Sequence, residues 1–409
     1  TSPPGYEILG DDTLADDLVT LWTYLQSQRI HTSPDGLVPL QRREPLLRQF
    51  NIPAEPRIAL LQRLALEQGW IHQDEHGLLR PVPKPTLDWL QSDTWTQWSS
   101  VARAWMKSTQ WNDLDIVSTL KPDPLVGWPG DSLKARRKLI TMLQQCVPDT
   151  WYTIEDFVSY MREHATDFLR PDGDYNSKVP RDAQTDVPLR GFEAWDKVEG
   201  MLIRFIFMGP LAWLGLVDLG KMASWLSPIA FRLDTAGAAL LDLGPAPDLP
   251  SPPSVQLERD GLLIVPRQRR YERFQLSRVA QCVARGESYR YYLTPRSLNR
   301  AKQQHIAMDR LVGFLEKTTG QHVPEELQDA IERAYHGQAK ANLQRSWILE
   351  VKDPELLTLP ALQPQQGIKH LGPRAVLIHT SERGKIVASL ITEGVLPEIS
   401  ISQESKIKN

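Results

Sequence analysis

Leu262-Leu263-Ile264-Val265-Pro266 opens the stretch from which the rest of the chain is read, and Gly337 closes it. Four consecutive apolar residues stopped by proline predict a buried strand. A basic cluster follows, Arg267, Arg269, Arg270 and Arg273, and then apolar residues at helical spacing (Leu276, Val279, Ala280, Val283), which predict an amphipathic helix ending near Gly286. Tyr289-Arg290-Tyr291-Tyr292-Leu293-Thr294 leads into Pro295-Arg296-Ser297-Leu298, where Thr294 reads as an N-cap and Pro295 as the first helical residue. Two further helices are predicted over 308–318 and 324–335. Between Leu262 and Lys302 stand ten Arg or Lys and two acids, Glu272 and Glu287, so the segment is +8 and the remaining chain −11 on an overall charge of −3. Arginine suits phosphate because its planar fork gives bidentate bonds to phosphate oxygens. The candidate contacts are Arg267, Arg269, Arg270, Arg273, Arg278, Arg290, Arg296 and Arg300, interleaved with Tyr271, Phe274, Tyr289, Tyr291 and Tyr292 as on nucleic-acid surfaces. The plainer reading is a solvated helix face paired with Glu272 and Glu287.

The order of these signals resembles the N-terminal helicase-associated domain of the XPB-type DNA repair helicases, over roughly Val255 to Pro397. The matching residues are Leu263-Ile264-Val265-Pro266, Tyr291 to Leu298, His322-Val323-Pro324-Glu325-Glu326-Leu327, and the strand Trp347 to Val351 followed by Asp353-Pro354-Glu355-Leu356-Leu357. A departure is Glu258-Arg259-Asp260-Gly261, which reads as a turn where relatives begin with a cleaner strand. The resemblance implies DNA binding, or membership of a DNA-transaction assembly as a helicase-associated subunit with DNA and a helicase or other protein as partners.

The 409 residues predict two or three domains. Thirteen Trp, most of them before Trp225, predict substantial cores there. Cys146 and Cys282 stand far apart, each in a segment that reads as helical, and fit free thiols in a reducing, cytoplasmic setting. No run reaches the ~20 apolar residues of a membrane span, so no membrane partner is expected. No signal peptide is visible, and the start at Thr1 fits a processed or trimmed N-terminus.

Before the basic island the chain reads as two tandem winged-helix units. In the first, apolar spacing predicts helices over 14–26, 44–50 and 54–68. Trp70-Ile71-His72 and Leu78-Leu79-Arg80 then flank a Gly-containing hairpin turn. A Trp-rich helix, 89–111, completes it. The second has helices over 134–146, 153–164 (capped by Thr153 and Asp156) and 192–208, with strands at Leu214–Val217 and Phe231–Leu233. In both units a helix ends at Gly, a hairpin follows and a strand runs into a helix. The second recognition helix carries Glu193, Asp196 and Glu199 beside Lys197 and Arg204, a face suited to packing or protein contact rather than DNA. Five prolines between Gly244 and Pro253 predict a semi-rigid linker. The expected fold class is α+β, mainly α: a winged-helix unit with its Trp-rich extension (1–130), a second (131–243), the linker (244–254), an α+β helicase-associated domain (255–400) with strands at 346–351, 375–379 and 385–390, and a frayed tail (401–409).

Catalytic signatures do not appear in the sequence. There is no GxxxxGK[ST] phosphate loop, no HExxH, no CxxC and no GxSxG. Asp172-Gly173-Asp174-Tyr175-Asn176 opens like a calcium loop, but Ser177 stands where the turn glycine is needed and Ala183 where the bidentate Glu belongs. Adjacent carboxylates such as Asp16 and Asp17 do not share a helix face and suggest no acid–base pair. The chain therefore reads as non-enzymatic, with no cofactor and no metal. Its expected role is as a DNA-binding or helicase-associated module, and the alternative is a protein-interaction scaffold built on the winged helices.

Overall fold

The computed structural model describes residues 4–170, 173–338, 346–365 and 367–398. Strand β1 (Tyr6–Ile8) precedes helix α1 (Leu14–Ser27), whose residues from Leu14 to Trp22 are all buried. Helices α2 (Leu40–Leu47) and α3 (Glu55–Glu67) follow, then the hairpin β2 (Ile71–Gln73) and β3 (Leu79–Pro81), in register His72 opposite Arg80. The expected Trp-rich helix is two: α4 (Pro83–Leu90) and α5 (Thr94–Lys107). The break falls where the Asp93 carboxylate accepts from the Thr96 amide, an N-cap that competes with helix continuation. Trp89 on α4, Trp98 and Trp105 on α5, and Trp111 beyond it are buried.

The next elements are β4 (Leu120–Lys121), α6 (Ser132–Leu143), β5 (Tyr152–Thr153), α7 (Ile154–His164), β6 (Arg181–Asp182), α8 (Met201–Ile206), β7 (Asp218–Lys221), β8 (Ala230–Arg232) and α9 (Thr235–Leu240). The predicted 192–208 helix is only partly regular. π-helical turns at Asp196–Gly200 and Phe207–Leu211 flank α8, and Gly209-Pro210 kinks the chain where proline removes a helix donor. Strands β7 and β8 lie near the expected pair, with Asp218 opposite Arg232. The antiparallel sheet has the order β1-β7-β8-β5, so the extreme N-terminus supplies an edge strand to the second expected unit. One hydrophobic core runs from Leu14 to Leu241 and includes Phe274. A boundary at 130/131 is therefore not a gap in packing.

After the Pro-rich segment come β9 (Gln256–Leu257), β10 (Leu262–Pro266), α10 (Arg270–Val279), β11 (Gln281–Ala284), β12 (Ser288–Tyr292), α11 (Pro295–Gln303), α12 (Met308–Thr319) and α13 (Glu325–Tyr335). The sheet order is β11-β12-β10-β9. Leu263, Val265, Tyr289 and Tyr291 point inward onto Leu276, Val279 and Leu298. Thr294 caps α11 through a reciprocal box with Ser297, and Gly320 closes α12 in the left-handed conformation. The helix expected to run on to Gly286 stops at Val279 instead. Arg300 donates to the Ser277, Arg278 and Ala280 carbonyls there, and Gln281–Ala284 pairs with β12. Cys282 thus lies on a strand and Cys146 beyond the end of α6; both are free and half-buried.

By contacts the chain divides at 338/339, not at the Pro-rich segment: residues up to Gln338 form one unit. The second unit holds β13 (Ser346–Glu350), β14 (Ile368–Gly372), β15 (Ala375–His379) and α14 (Arg383–Thr392), with sheet order β13-β15-β14. The strand predicted over 385–390 is helix α14, because Ile386 and Leu390, one turn apart, are the pair that the local core buries. The tail at 401–409 and Asp172 of the calcium-like loop lie outside the described residues. Asp174 accepts from the Asn176 and Ser177 amides, an Asx-type turn.

Candidate functional site

The arginine island does not form the expected solvent-facing patch. Arg267, Arg270 and Arg273 are 4%, 3% and 2% exposed, and all three reach one carboxylate, Asp16, itself fully buried in the first turn of α1. Arg267 Nη1 donates to Asp16 Oδ2 at 2.7 Å, Arg270 Nε to Oδ1 at 2.8 Å and Arg273 Nη1 to Oδ1 at 2.8 Å. Most of the remaining donors are also occupied, although Nε of Arg267 and Nε of Arg273 are buried without a hydrogen-bond partner among the described residues. Arg267 Nη2 reaches Asp12, Arg270 Nη1 reaches Gln97 Oε1, and Arg273 reaches the Arg267 carbonyl, the Asp16 carbonyl and Thr20 Oγ1. The Arg273 guanidinium also lies 3.8 Å from the centre of the Tyr289 ring. Burial alone would lower the Arg273 pKa, but Tyr289 and Asp16 outweigh it and the pKa is raised. At Arg267 burial is likewise outweighed, by Asp12 and Asp16, and its pKa is raised too.

This geometry follows from the helices. Asp16 and Asp17 sit where the α1 dipole favours negative charge. Being adjacent, they point in different directions and serve different partners. Asp17 accepts from Arg57 Nε at 2.9 Å and from Asn51, within the N-terminal helices, while Asp16 takes the three arginines that follow β10. Burial pushes the Asp17 carboxyl up, against the pull of Arg57. Helix α10 therefore carries two buried faces. Phe274, Arg270 and Arg273 enter the N-terminal core, while Leu276 and Val279 cover the sheet of their own domain.

The other five candidates are not brought to one place. Arg269 is partly exposed and donates to the Pro252 and Pro253 carbonyls, tying down the Pro-rich segment. Arg278 bonds Gln304, and burial lowers its pKa. Arg300 caps α10, and burial followed by Arg296 lowers its pKa. Arg296 is exposed on α11, and Arg290 is exposed on the outer face of β12. The discriminating arrangement, with Arg269, Arg270 and Arg273 in solvent beside Arg290 and Arg296, is thus absent. The physical reason is that Asp16 supplies a buried counter-charge from a helix more than two hundred residues earlier.

Sequence reasoning passed over Asp16 itself, together with Arg57, Arg136, Arg170 and Arg285. The available signal was a pair of acids inside an otherwise apolar helical stripe, Leu14-Ala15-Asp16-Asp17-Leu18. Arg136 is a second seal: its Nε meets Asp113 at 2.8 Å, and its remaining donors take the Trp105, Ser108 and Trp111 carbonyls. Asp113 Oδ1 in turn accepts from the indoles of Trp105 and Trp111. Arg170 and Glu199 form a third buried pair, in which burial outweighs Arg170 and pushes the Glu199 carboxyl up to about 7.

Residues 255–374 match the family model of the helicase conserved C-terminal domain, which is under a third of the chain. The match begins at buried Val255 and includes the whole arginine island. The chain has a helicase-associated domain in this coarse sense. No curated protein matches it. No helix of the described residues is long and apolar enough to cross a membrane.

Proposed function

We propose that this chain is a non-catalytic, helicase-associated module that binds nucleic acid within a DNA-transaction assembly, the part of its helicase-like segment up to Gln338 held fast on a helical platform of tandem winged-helix units. The observation that carries this reading is the convergence of Arg267, Arg270 and Arg273, inside the segment similar to helicase C-terminal domains, on Asp16 of the platform. A motor domain needs to move on its neighbours during turnover; one fixed by three buried ion pairs suits a static adaptor. The absence of a phosphate loop from the sequence supports the same reading. The β5-β8-β7 arrangement beside α6, α7 and α8 supports a winged helix in the second unit, and the element order α1, α2, α3, hairpin supports one in the first. The finer likeness to XPB-type proteins rests on the sequence pattern already quoted.

Nucleic-acid contact then falls to arginines that remain open, Arg285, Arg290 and Arg296, and not to the buried three. The test has two parts. The purified chain is assayed for ATP hydrolysis with and without DNA, with turnover no greater than a mock preparation expected. It is also titrated with labelled DNA across a salt series, with log affinity expected to fall linearly with log salt. Co-eluting ATPase activity contradicts the adaptor, and absence of any DNA binding contradicts the nucleic-acid role.

A specific observation favours the scaffold reading as well. The loop between β7 and β8 exposes Met222, Trp225, Leu226 and Ile229, Trp225 at 82%. Clustered exposed apolar side chains of this kind mark protein-contact surfaces.

A further inference from the structure

The end of α1 faces β11 and α11 across a cleft of about 610 Å³. One wall is Tyr24, Ser27 and Gln28 with Gln49 beyond α2; the other comes from the helicase-like domain. Arg285, Arg296 and Arg300 line it, and no Asp or Glu does. Their positive charges are not cancelled locally. Arg285 Nη2 bonds only the neutral Gln49 Oε1, at 3.0 Å. Arg296 is exposed and has no ion pair among the described residues. Arg300 spends Nε and Nη2 on the carbonyls that end α10. Arg296 and Arg300 are one helical turn apart, where like charges repel. Burial, and after it the neighbouring Arg296, lowers the Arg300 pKa.

We infer that this cleft takes the phosphodiester backbone of single-stranded nucleic acid, an inference that rests on the nucleic-acid reading above. An oxyanion supplies the missing counter-charge, and guanidinium forks match its geometry. The volume lies within the ~300–1,000 Å³ of small-molecule clefts, which admits a nucleotide or two of a single strand and not the breadth of a duplex. The amides of Gln281, Asn299 and Gln303 beside the arginines offer donors and acceptors to base edges. Because the two walls belong to the two parts joined by Asp16, strand binding and domain docking are linked: a ligand that binds only the docked form stabilises it.

The test uses the intact chain and the double variant R285Q/R296Q. The probes are labelled oligothymidylate, a labelled duplex and a labelled phosphoserine peptide, each read by anisotropy across a salt series. Neither arginine touches the buried network, so the variant is expected to melt with the parent. The single strand is expected to bind the parent more tightly than the duplex. The variant is expected to lose about a hundredfold or more, the equivalent of two charge-assisted contacts. Its log–log salt slope is expected to be shallower by about 1.4, from ~0.7 per phosphate on single strands. Equal affinity and equal slope for parent and variant overturn the cleft while leaving the nucleic-acid reading in place. A parent that binds no nucleic acid overturns both. Peptide binding that the variant loses, with DNA binding unaffected, assigns the cleft to phosphoprotein and overturns the inference.

Discussion

Replacing Asp16 by Asn keeps the shape of the side chain and removes the charge on which three guanidiniums converge. Hydrogen bonds to charged groups contribute about 1.5–3 kcal/mol each, and Asp16 accepts from Arg267, Arg270 and Arg273 within 2.7–2.8 Å. The three do not add, because Asn Oδ1 still accepts and Asp12 still faces Arg267. Removing one partner of a buried ion pair costs about 3–5 kcal/mol, and the expected loss lies in that range. Against a total stability of about 5–15 kcal/mol this is a large fraction. With a urea slope near 3 kcal/mol/M, the midpoint is expected to fall by roughly 1–1.7 M. The assay is urea unfolding followed by tryptophan fluorescence, to which Trp22 on the same helix contributes. A loss under about 1 kcal/mol would refute the reasoning, since exposed pairs contribute about that little.

Three further outcomes are expected. Changing Arg269, Arg270 and Arg273 together to Ala, harmless if they formed a solvated patch, is expected to destabilise the chain by several kcal/mol, roughly the cost of breaking buried pairs; a variant with the parent's urea midpoint contradicts the buried network. Limited proteolysis is expected to cut first within the exposed stretch from Gly244 to Ser254, yet the two fragments are expected to co-elute in the parent and to separate in Asp16→Asn; fragments of the parent that part on nicking contradict the lock. Glu199, whose carboxyl burial raises from 4.5 to about 7, holds its proton in the folded state over that window while the unfolded chain has lost it. Its contribution is therefore complete below pH 4.5 and is lost as pH rises through about 7. Urea midpoints of the parent are expected to fall more steeply over that interval than those of Glu199→Gln, and parallel curves contradict the assignment.

Much of the local structure was legible in the sequence. The helices starting at Leu14, Glu55 and Pro295, the Thr153 and Thr294 caps and the strand Ala375–His379 follow from spacing and capping chemistry, which are local. What failed was decided at long range. Gln281–Ala284 could continue a helix or enter a sheet, and Arg300 with β12 settled it. Lys385–Leu390 carries a β-branched pair, and burial of Ile386 with Leu390 overrode it. The helicase-associated segment was recognisable because its signals lie in order along one stretch, and the family match agrees with it at the coarse level. The site was misread for the opposite reason. Charge counting found a basic island with two local acids, whereas its counter-ion is Asp16, adjacent to Asp17 and therefore dismissed as half of a pair that shares no face. The same geometry lets the two acids hold two different parts of the molecule.

The most direct test of that division of labour is amide hydrogen exchange on the intact chain, comparing Asp16→Asn with Asp17→Asn. The account predicts that Asp16→Asn accelerates exchange in Leu14–Ser27 and in Arg270–Val279, while Asp17→Asn accelerates it in Leu14–Ser27 and Glu55–Glu67 and leaves Arg270–Val279 protected. Unchanged protection of Arg270–Val279 in Asp16→Asn, or equal exposure of that helix by both substitutions, would contradict it.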